Sequence, residues 1–449
     1  MKFIMEILLI YFIIINFIKA IIVIPLQKTE PIKNLTNTYD FINYFQPNNL
    51  YTILKIGKPQ QDLEVIIKDE EMIFSIDSMY CNSKTFYNKT ISKTFKNITK
   101  YDENNYKFYG KTIASETFYI YNNFDLNNLE MIENIQFIYE KEKKLTLSWN
   151  NIYNNCGVIS LDLFRYNIDN NNYNFIYELK KLGYTNEYSW TIKYIENDKN
   201  GYEGYLIIGD YPHIYDKYNY NKDFLKISKI ENSASKFNEW IIKFDEINFN
   251  EKKINVRNVK LEVEFGLIKA PMNYHEIFYN NIFLNCYYDT NECKQIDLDL
   301  QYFSYVFNKK YNISKFPNIT FVHKEFQYNF TLTYKDLFKE YNGKYYFLIV
   351  FLRNHNQEWV FGKIFLKKYQ FIFDPENRLI GFYNQKITFQ NNSYLIWVII
   401  FSLIIFIIIL IFFYICCFKK KRKIRNNEIE DGYDYSTNEN GENKLYFSL

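Results

Sequence analysis

Glycine is scarce in this chain, at 13 in 449 residues, where average usage would be roughly 7%. No glycine-rich loop that could cradle phosphate and no Gly-x-Ser-x-Gly elbow occurs, so nucleotide-dependent and serine-hydrolase chemistries have no signature here. Histidine is scarcer still: the four present, His213, His275, His323 and His355, stand in unrelated contexts. With six cysteines that lack zinc-type spacing, they form no metal motif and no triad, and neither metal nor cofactor is expected. No repeat of 20 to 50 residues runs through the chain, which excludes propellers and solenoids. The net charge of +3 gives no electrostatic case for a nucleic-acid partner. What the chain has in excess is Lys, Asn, Ile, 44 Tyr and 42 Phe. We read this as codon bias, so aromatic clusters and basic patches carry little functional weight.

The two ends are more informative. Lys2, an apolar run from Ile7 to Ile18 and the small residue Ala20 mark residues 1–20 as a secretory signal peptide. Residues 395–418 carry no charge. As a helix at ~1.5 Å per residue they reach about 36 Å, enough to cross a ~30 Å hydrocarbon core. Lys419-Lys420-Lys421-Arg422-Lys423 follows at once, so the positive-inside rule assigns 419–449 to a cytoplasmic tail and 21–394 to the outer side. A single-pass type I protein of the secretory or endolysosomal system or the cell surface is expected.

Cys81, Cys156, Cys286 and Cys293 then lie in an oxidising compartment. Cys286 and Cys293 close a short loop and are the expected disulfide; Cys81 with Cys156 rests on elimination alone. Cys416 and Cys417, at the inner membrane edge, are acylation positions or simply small apolar helix residues, with equal weight. Asn34, Asn88, Asn97, Asn312, Asn318, Asn329 and Asn391 head Asn-x-Ser/Thr sequons. A chain this rich in Asn produces several by chance, so glycan is expected only where loops expose them.

Between the ends, short runs rich in Ile, Val, Tyr and Phe alternate with Asn, Asp and Lys clusters, among them 51–56, 63–67, 205–208, 240–244 and 369–373. That is an all-β pattern. The clearest helix is expected over 174–182, and the Asn-rich stretch 167–174 reads as a surface loop.

The order of several motifs resembles the pepsin-like aspartic proteases. Ile56-Gly57-Lys58-Pro59-Gln60-Gln61 resembles that family's first turn, 63–67 its second strand and Ser78-Met79-Tyr80-Cys81 its Tyr-Cys marker. Phe108-Tyr109-Gly110 resembles the flap, so Tyr109 and Gly110 are peptide-cleft candidates. Cys156-Gly157-Val158-Ile159-Ser160-Leu161 resembles the strand that completes the first lobe, with Ser160 replacing a glycine, and 204–210 resembles the segment joining the lobes. In the second lobe, Trp240, 316–321, Trp359-Val360-Phe361-Gly362-Lys363-Ile364-Phe365 and 373–382 follow in the family's order. The resemblance spans about 49–385 and implies a bilobal pepsin-like fold. The lobes would be 49–215 and 216–388, preceded by a prosegment remnant at 21–48 and followed by the single transmembrane helix at 395–418.

The resemblance also locates the two catalytic aspartates, and neither is present. Counting eleven residues from the turn Gly57 reaches Lys68, and counting nine back from Pro271 reaches Glu262. Peptide hydrolysis in this family needs two carboxylates that share one proton. A non-catalytic pseudoprotease is therefore expected, using its cleft as a peptide- or protein-binding or structural platform. The alternatives are a divergent active aspartic endopeptidase and a purely structural surface protein. Lys68 and Glu262 are expected to pair within about 4 Å across the lobe interface, because an unpaired charge there costs several kcal/mol; the alternative is that Lys68 turns outward to Asp69 or Glu70.

The chain closes on Tyr446-Phe447-Ser448-Leu449, the Tyr-x-x-bulky pattern that sorting adaptors read. Tyr446→Ala is expected to move the protein from internal vesicles to the cell surface, scored by microscopy; an unchanged distribution removes Tyr446 and Leu449 from consideration.

Overall fold

A computed structural model describes residues 21–27, 50–68, 73–75, 87–100, 111–122, 124, 126–140, 157–161, 174–195, 201–231, 239–249, 252–256, 258–284, 286, 292–298, 301–353 and 358–384. All of them belong to one compact unit, Met1–Ile387. The signal segment 1–20, the tail 419–449 and the apolar run 395–418 lie outside the described residues, among which no helix is long and apolar enough to cross a membrane.

The chain is mostly β. Strand Tyr51–Ile56 buries Thr52, Leu54 and Ile56 and turns its other residues outward, the period-2 pattern that defines a half-buried strand. It pairs antiparallel with Gln61–Lys68, from Tyr51 opposite Ile66 to Ile56 opposite Gln61. The turn between them needs Gly57, whose φ is +80° and whose missing Cβ would stand 2.9 Å from Ser92 Oγ.

These two strands enter a thirteen-stranded sheet. Its middle is made by strands from distant parts of the chain: Phe371–Asp374, Trp190–Tyr194, Tyr202–Ile208, Ile22–Gln27 and Tyr51–Ile56, side by side. Ile22–Gln27 runs along Tyr202–Ile208 for its whole length, with Ile22 opposite Ile208 and Gln27 opposite Tyr202. On its other side it meets neighbours only near its ends, at Asn122, Tyr121 and Tyr51. Pro25, which has no N–H to donate, falls in the stretch between those contacts. Ile22, Val23, Ile24 and Leu26 are all buried. The segment read as a prosegment remnant thus begins with a strand built into the core.

The second half of the chain makes its own sheets, one of nine strands and one of four, drawn from residues 241–361. The halves meet at Trp190, Trp240 and Phe373. Trp190 stacks on Phe373 with ring centroids 4.0 Å apart, and Trp240 packs edge-on against both, at 5.7 and 4.9 Å. Aromatic pairs of this geometry contribute about 0.5–1.5 kcal/mol each beyond burial. Trp240 Nε1 also donates to the Leu161 carbonyl at 3.3 Å, tying one half to the other.

The expected helix spans Phe175–Lys181, between the caps Asn174 and Leu182; the Asn174 side chain accepts from the Ile176 and Tyr177 amides. At 369–373 the strand starts later than the sequence pattern suggests, at Phe371. Tyr369 instead closes helix Lys363–Lys368 and donates its hydroxyl to the Thr331 carbonyl at 2.7 Å. Cys286 and Cys293 are disulfide-bonded, with Cα atoms 5.4 Å apart. Cys81 and Cys156 lie outside the described residues.

His323 is buried in the second half, 1% exposed. Its ring stacks on Phe326 at 4.0 Å and its Nδ1 accepts from the Phe326 amide. Burial lowers its pKa from 6.5 to about 4. The folded protein therefore holds this imidazole neutral at pH values where the unfolded chain protonates it, so stability is lost as pH falls from 6.5 toward 4. His323 alone should remove about 3 kcal/mol over that window. Denaturant titrations at pH 7 and pH 4.5 should show the loss, and His323→Phe should flatten the profile; an unchanged slope in that variant would contradict the buried neutral ring.

Candidate functional site

The register of two parallel strand pairs fixes the candidate site. In the first half, Gln61–Lys68 lies parallel to Gly157–Ser160, with Ile67 opposite Ile159 and Lys68 opposite Ser160. In the second half, Asn258–Leu261 lies parallel to Trp359–Phe361, with Leu261 opposite Phe361. One step further, the Glu262 amide donates to the Phe361 carbonyl at 3.0 Å, just before Gly362. Ile159-Ser160 and Phe361-Gly362 correspond in sequence, so Lys68 and Glu262 are equivalent positions of the two halves. Counting along the sequence brought out the same pair.

In the second half a loop crosses this strand end. Near Gly362 the loop Phe265–Leu267 passes so closely that a Cβ on Gly362 would stand 2.1 Å from the Phe265 carbonyl and 2.3 Å from that of Leu267. The Gly362 and Lys363 amides donate to these carbonyls. No side chain fits there. The first half has Ser160 at the corresponding place, almost fully buried, with the Asn174 Nδ2 donating to its Oγ at 3.4 Å. The helix-capping asparagine thus also satisfies the residue that replaces a glycine.

Around Lys68 and Glu262 the side chains form a line of alternating charge. Glu239 pairs with Lys260 at 3.3 Å, and Lys260 with Glu262 at 3.6 Å. Glu262 pairs in turn with Lys269 at 3.8 Å, and Glu264 pairs with Lys68 at 3.8 Å. The expected pair of Lys68 with Glu262 does not form: Lys68 reaches Glu264 instead. The cause lies in strand geometry. Glu262 directly follows the strand that carries Lys260, two residues on, while Lys260 and Lys269 both stand opposite Val360 on either side of the intervening strand. Glu262 is therefore neutralised within its own half, and Glu264, two residues on, is left to cross to Lys68. Lys269 also lies 3.8 Å above the Phe265 ring. Burial lowers the Lys269 pKa, and the neighbouring Glu262 carboxylate opposes that shift.

A second ion pair joins the halves beside this line. Lys363 Nζ lies 2.5 Å from Glu203, on strand Tyr202–Ile208, and is 8% exposed. Burial lowers its pKa against the pull of Glu203. Among the described residues no group of three or more His, Cys, Asp or Glu is arranged to hold a metal. Tyr109, Gly110 and the segment 69–71 lie outside the described residues, as do Tyr446 and Leu449.

The family model for eukaryotic aspartyl proteases matches residues 49–385. The chain belongs to the eukaryotic aspartyl protease family. Its fold is that of basic 7S globulin from soybean, at 11% identity and a TM-score of 0.55, over 82% of this chain and 97% of that one. It is similar also to conglutin gamma, a basic 7S globulin from lupine seeds, at 10% identity and a TM-score of 0.59, over 82% of this chain and 96% of that one. No curated protein sequence matches it at a significant level. In this aspartyl protease family member the two equivalent positions reached by counting from Gly57 and Pro271 hold a lysine and a glutamate. Sequence reading missed Glu264, Lys269 and the Lys363–Glu203 pair. The alternation of charged and apolar residues in Lys260-Leu261-Glu262-Val263-Glu264-Phe265 reads as one strand, but the strand ends at Leu261 and Val263-Glu264 form a turn, which no local pattern announces.

A double-mutant cycle distinguishes the two pairings. The Lys68–Glu264 side chains are about one-fifth exposed, so Lys68→Met and Glu264→Gln should couple by about 0.5–1 kcal/mol in thermal or denaturant unfolding. Lys68→Met with Glu262→Gln should couple by less than about 0.3 kcal/mol; the reverse ranking would restore the dyad-position pair.

Proposed function

We propose that this chain is a non-catalytic member of the aspartyl protease family, anchored in a membrane by 395–418, which uses the cleft between its lobes to hold a peptide or protein segment on the outer side. The observation that carries this reading is the charge arrangement at the dyad positions. Aspartic proteolysis needs two adjacent carboxylates, one protonated and one ionised, around a water. Here one position is a cation. The other is a carboxylate flanked by Lys260 and Lys269, 3.6 and 3.8 Å away. Glu264 is held by Lys68 in the same way. Every carboxylate in the line has an ammonium within 4 Å, so the site sets acid beside base where the reaction needs acid beside acid.

The cleft floor also differs in polarity from an acid dyad. Among the described residues its charged groups are three lysines and three glutamates, and a segment lying over it meets both signs at short spacing. That suits extended polar peptides, which can offer amides, carboxylates and ammonium groups in turn.

The full chain in detergent micelles, incubated with a mixed peptide library at neutral and acid pH, should retain peptides without cutting them, as read by mass spectrometry of the bound and free fractions. Glu264→Lys should change which peptides are retained. Turnover at acid pH that is blocked by a transition-state-mimicking aspartic-protease inhibitor would overturn the reading in favour of an endopeptidase. Neither retention nor turnover would leave a structural role.

A further inference from the structure

The sequons are not alike once folded. In Asn88-Lys89-Thr90 the Thr90 amide and hydroxyl both donate to Asn88 Oδ1, at 3.0 and 2.7 Å. Asn312-Ile313-Ser314 repeats this arrangement: the Ser314 amide and hydroxyl donate to Asn312 Oδ1 at 3.1 and 2.6 Å. Both contacts on each oxygen come from the residue two places on, so they form within three residues and need no tertiary fold. The amide oxygen is occupied twice, and the Nδ2 group carries no hydrogen bond among the described residues. Asn318 and Asn329 differ, although both are exposed. The hydroxyls of their sequons, Thr320 and Thr331, bond to each other at 2.9 Å across the paired strands Ile319–His323 and Tyr328–Leu332. Neither hydroxyl turns to its own asparagine.

We propose that Asn88 and Asn312 are N-glycosylated, and that Asn318 and Asn329 are not. The inference rests on the reading that residues 21–394 leave the cytosol. The donor is an oligosaccharide carried on a lipid diphosphate, the class of reagent that secretory compartments use for this transfer. A bond forms between Asn Nδ2 and the sugar C1 while the C1–O bond to the diphosphate breaks. The lipid diphosphate leaves with that electron pair, the amide nitrogen gives up one proton, and nothing is oxidised or reduced. The proton passes to a base of the transferring enzyme, and a hydroxyl donating to the amide oxygen, as in the Asn88 and Asn312 sequons, draws electron density to that oxygen and makes the Nδ2 proton easier to remove. In the folded product the glycan hangs on a nitrogen that has no bond to lose, and the two contacts to Oδ1 survive. For Asn318 and Asn329 the local hairpin takes the hydroxyls away.

The test uses the full chain expressed in a eukaryotic secretory host, with peptide mapping after a glycan-cleaving amidase, which leaves Asp at each formerly modified Asn. Asp should appear at 88 and 312 and not at 318 or 329. Thr90→Ala and Ser314→Ala should each remove one mobility step from the intact protein, whereas Thr90→Ser should keep it. These variants leave the asparagine and its backbone contacts in place, so loss of glycan is not a consequence of misfolding at Asn88. Modification at 318 and 329 with 88 and 312 bare would overturn the proposal. So would a chain bare at every site, and protease protection of sealed microsomes then separates the causes. A protected but bare chain overturns the sequon argument and leaves the outer placement intact; digestion of 21–394 from the cytosolic side overturns both.

Discussion

Pairing of opposite charges is the constraint on which this site depends. Among the described residues six charged side chains gather there, each between about one-seventh and one-quarter exposed, and each has an opposite charge within 4 Å. Lys68 takes its carboxylate from the second half, where Glu264 supplies it, and Lys269 with Glu262 is the counterpart within that half.

The backbone beneath is much more conservative than the charges above it. Gly362 remains because carbonyls of the crossing loop lie within 2.3 Å of where a Cβ would be, and strand register still brings Lys68 and Glu262 to equivalent places. Sterics hold that backbone, since a misplaced atom has nowhere to go; the charges above it are held by pairing.

How far the sequence disclosed all this follows from the range of the forces involved. Strand Tyr51–Ile56 and helix Phe175–Lys181 were legible because period-2 burial and an Asn cap are local patterns. The equivalence of Lys68 and Glu262 was legible because turn and proline positions fix the count. Their partners were not, because whether Lys68 meets Glu262 or Glu264 turns on which strand face a lysine from another strand, Lys269, has already filled. Likewise nothing in Glu203 or Lys363 alone announces a partner 160 residues away (363 − 203). His323 reads as an ordinary polar residue until the stack on Phe326 and the ring of Phe244 close over it.

The strand Ile22–Gln27 has a consequence for the order of events during synthesis. Its full-length neighbour is Tyr202–Ile208, made later, so Ile22 waits for a residue 186 positions on (208 − 22). At ~5–20 residues per second, that leaves Ile-Val-Ile-Pro-Leu without its ladder for about 10–40 s. A bare apolar strand is a template for any other chain that passes. How long Ile22–Gln27 stays unpaired is therefore set by its distance along the chain from Tyr202–Ile208, not by the stability of the finished sheet.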